Sequence, residues 1–403
     1  MKALILVVGT LLCTETVQAA TLADAQKLRN DGEFERAFHA FEMLLSQNPH
    51  DAVTLFEFGS MLADRDELRW YEKAHELMKQ SVAIDHDTKH TFAFGTFSCR
   101  IGKFEDSLNA YRDLLKRFPN NKQILYNCAY TIKTAGFIEE AIEIYQKVLK
   151  LDPDYEHAHM GLAFGYLMLG DYARGWKEHE FNLKKQGKNA ESLRTLLAQN
   201  ALAGKRILLR PEGGIGDTLN FIRYAQRIKS MGAYTIVAAQ KSLIPLLSLC
   251  PYIDQLMPTS GPLPAHDASA TLMSLPAIFG DTEKQIPTNI PYIFADKNRI
   301  HYWHAKLSCD TNIKVGICWQ PDVHNDVSRL PIARRGIPLS YFHRLANMLG
   351  VSVYSLQKIE GLDQLNNLPA GVEIHTFGDN FDETYGSFMD SAAIMQELDL
   401  IIS

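Results

Sequence analysis

The sequence is poor in cysteine, in excess positive charge and in long apolar segments, and each shortage excludes a class of protein. Six cysteines in 403 residues, with no Cys-x-x-Cys pair, are too few and too scattered for a disulfide framework or a thiolate zinc site. A net charge of −6 disfavours a nucleic-acid-binding protein. Beyond residue 20, no stretch is long and apolar enough for a transmembrane helix, so we predict none in the mature chain.

The first twenty residues are typical of a secretory signal peptide. Lys2 precedes an apolar run from Ala3 to Cys13, and Val17-Gln18-Ala19 is a small-x-small cleavage site. Alternatively, this run is the first helix of the next domain, or the start codon is wrongly chosen.

Residues 21–190 carry an internal repeat of about 34 residues. Its small residues are Ala37, Ala74, Ser107, Ala141 and Gly175, and four positions after each stands a larger one, namely Phe41, Met78, Tyr111, Tyr145 and His179. Residues four apart share a helix face, so each pair predicts a close helix–helix contact. The pattern resembles the tetratricopeptide repeat and predicts four to five stacked helix–turn–helix units. That resemblance implies a protein or peptide bound in the groove, whereas the alternative is an unrelated helical array.

The pattern changes near residue 200. Apolar runs such as Arg206–Arg210 and Tyr234–Ala238 alternate with amphipathic stretches such as Leu219–Met231, which predicts parallel α/β structure. We expect one block over 200–297 and a second over 310–403. The proline-rich Gln285–Ile293 and a helix near Asn298–Leu307 are interpreted as the linker between them.

A glycine loop, Gly213-Gly214-Ile215-Gly216-Asp217-Thr218, lies between the first predicted strand and helix. It has no Gly-Lys-Ser/Thr and so is not a P-loop, and it lacks the third glycine of a dinucleotide fingerprint. Two interpretations of Asp217 stay open: a carboxylate in a cleft that acts as general base, or a simple helix N-cap.

The segment from Ala203 to Ala225 resembles the start of a GT-B glycosyltransferase domain, and Gly170–His179 resembles the last repeat that precedes it in one bacterial family. Lys314–Trp319, His324–Arg329 and Phe388–Ala393 also resemble that family's second domain. The family joins tetratricopeptide repeats to a heptosyltransferase-like, O-GlcNAc-transferase-like (family 9) region. The implied fold is α + α/β: an α-solenoid followed by two Rossmann-like domains, the second incomplete.

The resemblance implies inverting, metal-independent transfer of a sugar from a nucleotide-diphosphate sugar, with no other cofactor. Asp217 matches the family's general base, and the acceptor loop comprises Gly213, Gly214, Gly216 and Thr218. Donor-binding candidates are His324, Asn325, Arg329, Arg334, Arg335 and Gln357, because arginine suits a departing diphosphate. The alternatives are a solvated basic loop for the arginines and, for Gln357, a buried amide that satisfies loop backbone.

After a strand like Leu398–Ser403, the family continues with an Asp-Thr…His loop that holds the nucleotide, and this sequence stops there. We therefore expect a truncated, weak or inactive transferase. The competing hypothesis is a non-catalytic repeat protein that serves as an interaction scaffold. His86 and His90 have i, i+4 spacing but lack a third ligand, so we predict no metal site. A signal peptide favours export, whereas unpaired cysteines and nucleotide-sugar chemistry favour the cytoplasm.

Overall fold

The computed structural model describes residues 21–65, 67–185, 190–321 and 336–403, and these form two compact units. The first unit extends to Lys147 and the second runs from Val148 to Ser403. The predicted signal peptide, residues 1–20, lies outside the described residues.

The first unit consists of antiparallel helical hairpins. Its helices are α1 (Leu22–Asn30), α2 (Phe34–Gln47), α3 (Ala52–Asp64), α4 (Leu68–Asp85), α5 (Thr88–Arg100), α6 (Phe104–Arg117), α7 (Lys122–Thr134) and most of α8 (Ile138–Leu151). Side chains cap the amino-terminal ends of α3, α5 and α7. Asp51, Asp87 and Asn121 each accept hydrogen bonds from backbone N–H groups of the helix that follows, which satisfies donors that have no partner within the helix.

The close helix–helix contacts predicted from the small and large residues of the repeat are present in the structure. Ala37, Ala74, Ser107 and Ala141 have no exposed surface, and the larger residue four positions on is buried in each case. A β-carbon added at Gly59 would lie 2.7 Å from Met78 Cγ and 3.0 Å from the Ala74 carbonyl oxygen, so α3 and α4 approach too closely for any side chain there. The helical repeat predicted from the sequence is therefore present.

The fifth hairpin lies in the second unit. It comprises α9 (Glu156–Met168) and α10 (Tyr172–Lys185), and α11 (Glu191–Ala198) follows it. A β-carbon at Gly175 would lie 2.6 Å from Leu167 Cγ, so the close contact of the repeat recurs here. The sequence placed the domain boundary after this hairpin, near residue 190. Helix α10 also contacts the helix at Leu275–Phe279 beside the first sheet, which is why it groups with the sheet.

The first sheet is four-stranded and entirely parallel, in the order β3-β2-β1-β4. The strands are β1 (Arg206–Arg210), β2 (Tyr234–Ala239), β3 (Gln255–Pro258) and β4 (Ala268–Thr271). In β1, Leu208 pairs with Ile236 of β2 and Ser269 of β4. The associated helices are α12 (Ile215–Phe221), α13 (Arg223–Ser230), α14 (Ile244–Leu247) and α15 (Leu275–Phe279). The single helix expected over Leu219–Met231 is divided into two at Ile222, a completely buried residue whose backbone angles stay right-handed helical.

The second sheet is three-stranded and parallel, in the order β6-β5-β7. Its strands are β5 (Ile313–Ile317), β6 (Val351–Ser355) and β7 (Leu400–Ile402), with helices α17 (His343–Ala346) and α18 (Met389–Ile394). Gly316 pairs with Tyr354 on one side and Ile401 on the other. The strand expected over Glu373–Thr376 is only a single bridge between His375 and Tyr354.

Helix α16 (Lys297–Leu307) packs into the core of the second sheet and is no mere linker. Arg299 and Trp303, both on α16, donate hydrogen bonds to Oδ1 of the buried Asp390 on α18. Burial alone would raise the pKa of Asp390, but the bonds from Trp303 and Arg299 hold that pKa below its usual value. The carboxylate is therefore ionised and ties the two helices together.

Candidate functional site at the carboxyl edge of the first sheet

The glycine loop lies where the carboxyl ends of the parallel strands meet. Strand β1 ends at Arg210, and the chain then passes through Gly213 and Gly214 into α12. In open parallel sheets this edge is where ligands bind. The glycine loop and the loop that follows β4 therefore form a candidate site.

The carboxylate of Asp217 turns back onto its own loop. Its Oδ2 accepts a hydrogen bond of 2.8 Å from the backbone N–H of Gly214. A β-carbon at Gly213 would lie 2.0 Å from that same oxygen, so glycine is required for this arrangement. The bond is one half of a capping box in which Gly214 is the N-cap and Asp217 is the third residue of α12, so Asp217 contributes to the cap without occupying the N-cap position that the sequence suggested. Asp217 remains partly exposed, and its role as general base stays a prediction.

Gln240, the residue that follows β2, hydrogen-bonds the glycine loop. The buried Thr218 donates to Gln240 Oε1 at 3.0 Å, and Gln240 Nε2 donates to the carbonyl of Gly213 at 3.3 Å. Gly214 and Gly216 are exposed. Of the predicted acceptor-loop residues, the three glycines are thus exposed to solvent, whereas Thr218 is buried beneath the loop.

Sequence reasoning missed a buried polar cluster beside the loop. His179 of α10 is only 2% exposed, and its Nε2 lies 3.0 Å from Glu212 Oε1. Glu212 Oε2 accepts a hydrogen bond of 2.7 Å from Thr271 at the end of β4, and Thr271 shares another of 2.7 Å with Ser274. The signals in the sequence were a glutamate, Glu212, directly before the glycine loop and a polar residue, His179, at the large position of the last repeat.

On the second sheet, Gln357 follows β6 and its amide hydrogen-bonds the loop backbone. Its Oε1 accepts from the N–H groups of Trp319 and Gln320, each at 2.9 Å, and its Nε2 donates to the Gln320 carbonyl at 2.7 Å. Burial raises the pKa of the adjacent Cys318, whose thiol also contacts Gln357 Oε1. Donor binding by Gln357 stays a prediction. The other donor-binding candidates, His324, Asn325, Arg329, Arg334 and Arg335, lie outside the described residues.

Within the described residues, no group of three or more His, Cys, Asp or Glu side chains is arranged to hold a metal ion. No helix among the described residues is both long enough and apolar enough to cross a bilayer. His86 ends α4 in a left-handed conformation, and His90 stacks on Phe56 with ring centroids 3.9 Å apart.

Comparison by sequence finds known proteins that are similar to part of this chain. The chain is 20% identical over 127 residues to TPR repeat-containing protein MJ1428 of Methanocaldococcus jannaschii, which is 30% of this chain and 22% of that protein. It is 28% identical over 92 residues to the TPR repeat-containing thioredoxin TTL4 of Arabidopsis thaliana (23% and 14%). It is also 30% identical over 92 residues to human protein arginine N-methyltransferase 9 (21% and 11%). The chain thus spans at most about a fifth of these relatives.

No family model matches the chain. Among solved structures, a MamA protein is 21% identical with a TM-score of 0.37, covering 41% of this chain and 88% of that one. YrrB, described as a TPR protein with an unusual peptide-binding site, is 15% identical with a TM-score of 0.36, covering 44% and 89%. The repeat period, the helical hairpins and the two TPR-containing relatives agree that the N-terminal part is a tetratricopeptide-like helical repeat.

Proposed function

We propose that the protein is an interaction scaffold whose helical repeats bind an extended peptide segment of a partner protein. The observation that carries this proposal is a row of half-buried aromatic side chains in the first unit. Phe56, Phe92 and Tyr126 each stand three positions before the small residue of α3, α5 and α7. Equivalent positions of successive repeats form a continuous surface, and such surfaces are where solenoid proteins bind their partners.

The rings of this aromatic row are held in place by neighbours. Phe92 packs edge-on against Tyr111 with centroids 5.8 Å apart, and Tyr126 lies 5.8 Å from Tyr145. Tyr111 and Tyr145 are buried large residues of the repeat, so the repeat core itself orients the row. Rigid aromatic side chains lose little conformational entropy on binding, which makes them effective anchors for a peptide.

Two cations lie over other aromatic rings of α5 and α7, near the carboxyl-terminal ends of these helices. Lys133 Nζ lies 5.1 Å from the Tyr130 ring centroid, and the guanidinium of Arg100 lies 5.0 Å from that of Phe97. Burial lowers the pKa of Lys133, and a carboxylate brought near it would favour its charged form. We therefore expect the peptide to combine apolar or aromatic side chains with an acidic residue.

Replacing the aromatic row tests the proposal. Peptides selected from a random library on the full chain are titrated by fluorescence anisotropy against Phe92→Ala and Tyr126→Ala variants. Each variant should lose about tenfold or more in affinity, since interface anchors of this size contribute about 1–2 kcal/mol or more. Phe137→Ala is the matched control, because Phe137 is a 60% exposed aromatic residue outside the row. Equal losses in all three variants would contradict a site on the row.

Sugar transfer is the second candidate, favoured by the glycine loop at the carboxyl edge of a parallel sheet and by the partly exposed Asp217. In this reaction the acceptor oxygen attacks the anomeric carbon, and Asp217 takes the acceptor proton. The bond from the anomeric carbon to the diphosphate oxygen breaks, and the nucleotide diphosphate leaves. The resemblance to GT-B enzymes is the source of this candidate.

Asp217→Asn separates catalysis from folding, since the amide oxygen can still accept the bond from the Gly214 N–H. If the chain releases nucleotide diphosphate from a panel of nucleotide sugars, this variant should lose about 10²–10⁴-fold in rate, as for removal of a general base. Asp267→Asn, at the opposite edge of the sheet beside Arg206, is the control. Unchanged release by the Asp217 variant would remove Asp217 from the mechanism.

A further inference from the structure

A cavity of about 270 Å³ lies beside Trp176, between α10 and the helices that follow β1 and β4. Most of the residues that line it are aromatic or apolar, namely Tyr172, Trp176, Phe221, Tyr224, Pro276 and Ile286. The lining is completed by Asn220, Arg223 and Asp281. This aromatic cavity includes no residue of the glycine loop, so it is separate from the site described above.

The rings of the aromatic cavity are fixed by their neighbours. The Trp176 ring meets Phe221 edge-on with centroids 6.1 Å apart, and Phe221 lies 6.5 Å from the Tyr224 ring. Trp176 and Tyr224 are buried. An apolar cavity of about 150 Å³ is enough to hold benzene, so there is room here for an aromatic ring with a short side chain. Aromatic walls favour such a ring, because edge-on and offset contacts between rings are attractive.

The polar lining includes a guanidinium without a carboxylate partner. Arg223 donates to the carbonyl and the side-chain oxygen of Asn220 at 2.8 and 3.0 Å, and to the Tyr292 hydroxyl at 2.7 Å. Its Nη1 donates a long bond of 3.4 Å to the Pro287 carbonyl. All of these acceptors are uncharged. Among the described residues, the positive charge of the half-buried Arg223 is therefore not neutralised by an ion pair.

Asp281, the acidic residue of the lining, is already neutralised by another group. Both of its oxygens accept bonds of 2.8 Å from Arg227 Nη1, and its side chain is only 2% exposed. The charges of Asp281 and Arg227 thus cancel, and Arg223 leaves the aromatic cavity with a net positive charge. A partly buried charge is costly without a counter-charge, and an anion in the cavity supplies one.

The surroundings of α13 are positive as well. A second cavity, of about 440 Å³, lies along this helix and shares Ile286 with the aromatic cavity. Arg227 and the exposed Lys284 line it, and no Asp or Glu stands among the described residues of its lining. The local potential on this side of α13 therefore attracts anions and disfavours cations.

We infer that the aromatic cavity is a binding site for a small aromatic carboxylate. The ring of the ligand packs among Trp176, Phe221 and Tyr224, and its carboxylate lies beside Arg223, since a guanidinium is the side chain best suited to a carboxylate. This site lies in the second unit. It rests on neither the peptide-binding row of the first unit nor transfer at Asp217.

Ligand-observed NMR and calorimetric titration of the full chain test the inference. The probes are phenylacetate and indole-3-acetate, with the neutral phenylacetamide and the cationic phenethylamine as comparisons of similar shape. We expect at least one of the acids to saturate the protein with a dissociation constant of about 0.1–1 mM, and the amide to bind about tenfold more weakly. If neither acid binds, or if the amide or the amine binds as tightly as the acids, the inference is wrong.

Two charge variants test the part played by Arg223. Arg223→Gln should weaken phenylacetate binding about tenfold and change phenylacetamide binding by less than about twofold, because only the acid responds to the charge. Lys229→Gln is the control on the same helix, since Lys229 pairs with Asp254 and lines neither cavity, and its affinity should stay within about twofold of the parent's. An equal loss of acid and amide in Arg223→Gln would refute the role of its charge.

A third variant locates the ring of the ligand. Tyr172→Leu, at a half-buried position, removes one aromatic wall and should weaken the binding of acid and amide alike. If phenylacetate binds to Tyr172→Leu and Arg223→Gln as well as it binds to Lys229→Gln, it binds elsewhere and the assignment fails.

Discussion

At the scale of single residues, the glycines of the first sheet's loop differ in what they do. Gly213 leaves the space that the Asp217 carboxylate occupies, whereas a β-carbon at Gly216 would meet no atom within 4 Å. Only the first is thus required by close approach. From the sequence, the two glycines were equivalent members of one motif.

We predict that Gly213→Ala destabilises the protein by about 1 kcal/mol, because the new β-carbon displaces the carboxylate that caps α12. Gly216→Ala should be neutral or stabilising by up to about 1 kcal/mol, since alanine favours a helix. Urea unfolding followed by circular dichroism measures both. A loss at Gly216 equal to that at Gly213 would contradict the role assigned to close approach.

At the scale of elements, the hairpins of the first unit contact one another through buried polar groups as well as apolar ones. His75 of α4 is buried, with its Nε2 3.2 Å from Asp106 Oδ2 of α6. Burial lowers the pKa of His75, and this outweighs the opposing effect of Asp106. Neutral histidine is therefore the form that the folded state favours.

A lowered pKa in the folded state predicts acid sensitivity of the first unit. The stability that His75 contributes is present above its unfolded pKa of about 6.5 and is lost as the pH falls through the lower folded value. The free energy of unfolding should thus drop more between pH 7.5 and pH 5 in the parent than in His75→Gln. His39→Gln, whose side chain is 75% exposed, should retain the parental drop. An identical pH dependence in all three proteins would refute this.

At the scale of the whole molecule, residues far apart in sequence join the helices that pack beside the second sheet. Helix α16 was expected to be a linker, yet Arg299 on it meets Asp390, 91 positions later, in a buried ion pair. The same carboxylate accepts bonds from Trp303 and from the backbone N–H of Asp382. A single buried charge therefore holds α16, α18 and the preceding loop together.

Removing that charge should lower the stability of the fold strongly. Asp390→Asn leaves the Arg299 guanidinium buried without a carboxylate, so we predict a loss of about 3–5 kcal/mol in the free energy of unfolding. Asp379→Asn, at an exposed position, should change stability by no more than about 0.5 kcal/mol. Thermal unfolding and limited proteolysis of the two variants would measure this. Similar behaviour of both would show that the ion pair contributes little.

The spacing of residues along the sequence by itself determined much of the secondary structure of this protein. The small and large residues of the repeat, from Ala37 to Gly175, predicted helical hairpins with close contacts, because a helix face is set by spacing along the chain. The apolar run Arg206–Arg210 and its glycine loop predicted a parallel strand and the turn after it, since both depend on local composition.

What the sequence left open was decided by contacts between distant residues. Whether Asp217 caps its own helix, whether Gln357 faces loop backbone, and where α16 packs all depend on neighbours that no local pattern names. The same is true of the His179–Glu212 contact and of the aromatic cavity beside Trp176, which form only where α10 meets the loops and helices of the first sheet. Spacing fixes which face of an element a side chain is on, but only tertiary packing decides what that face meets.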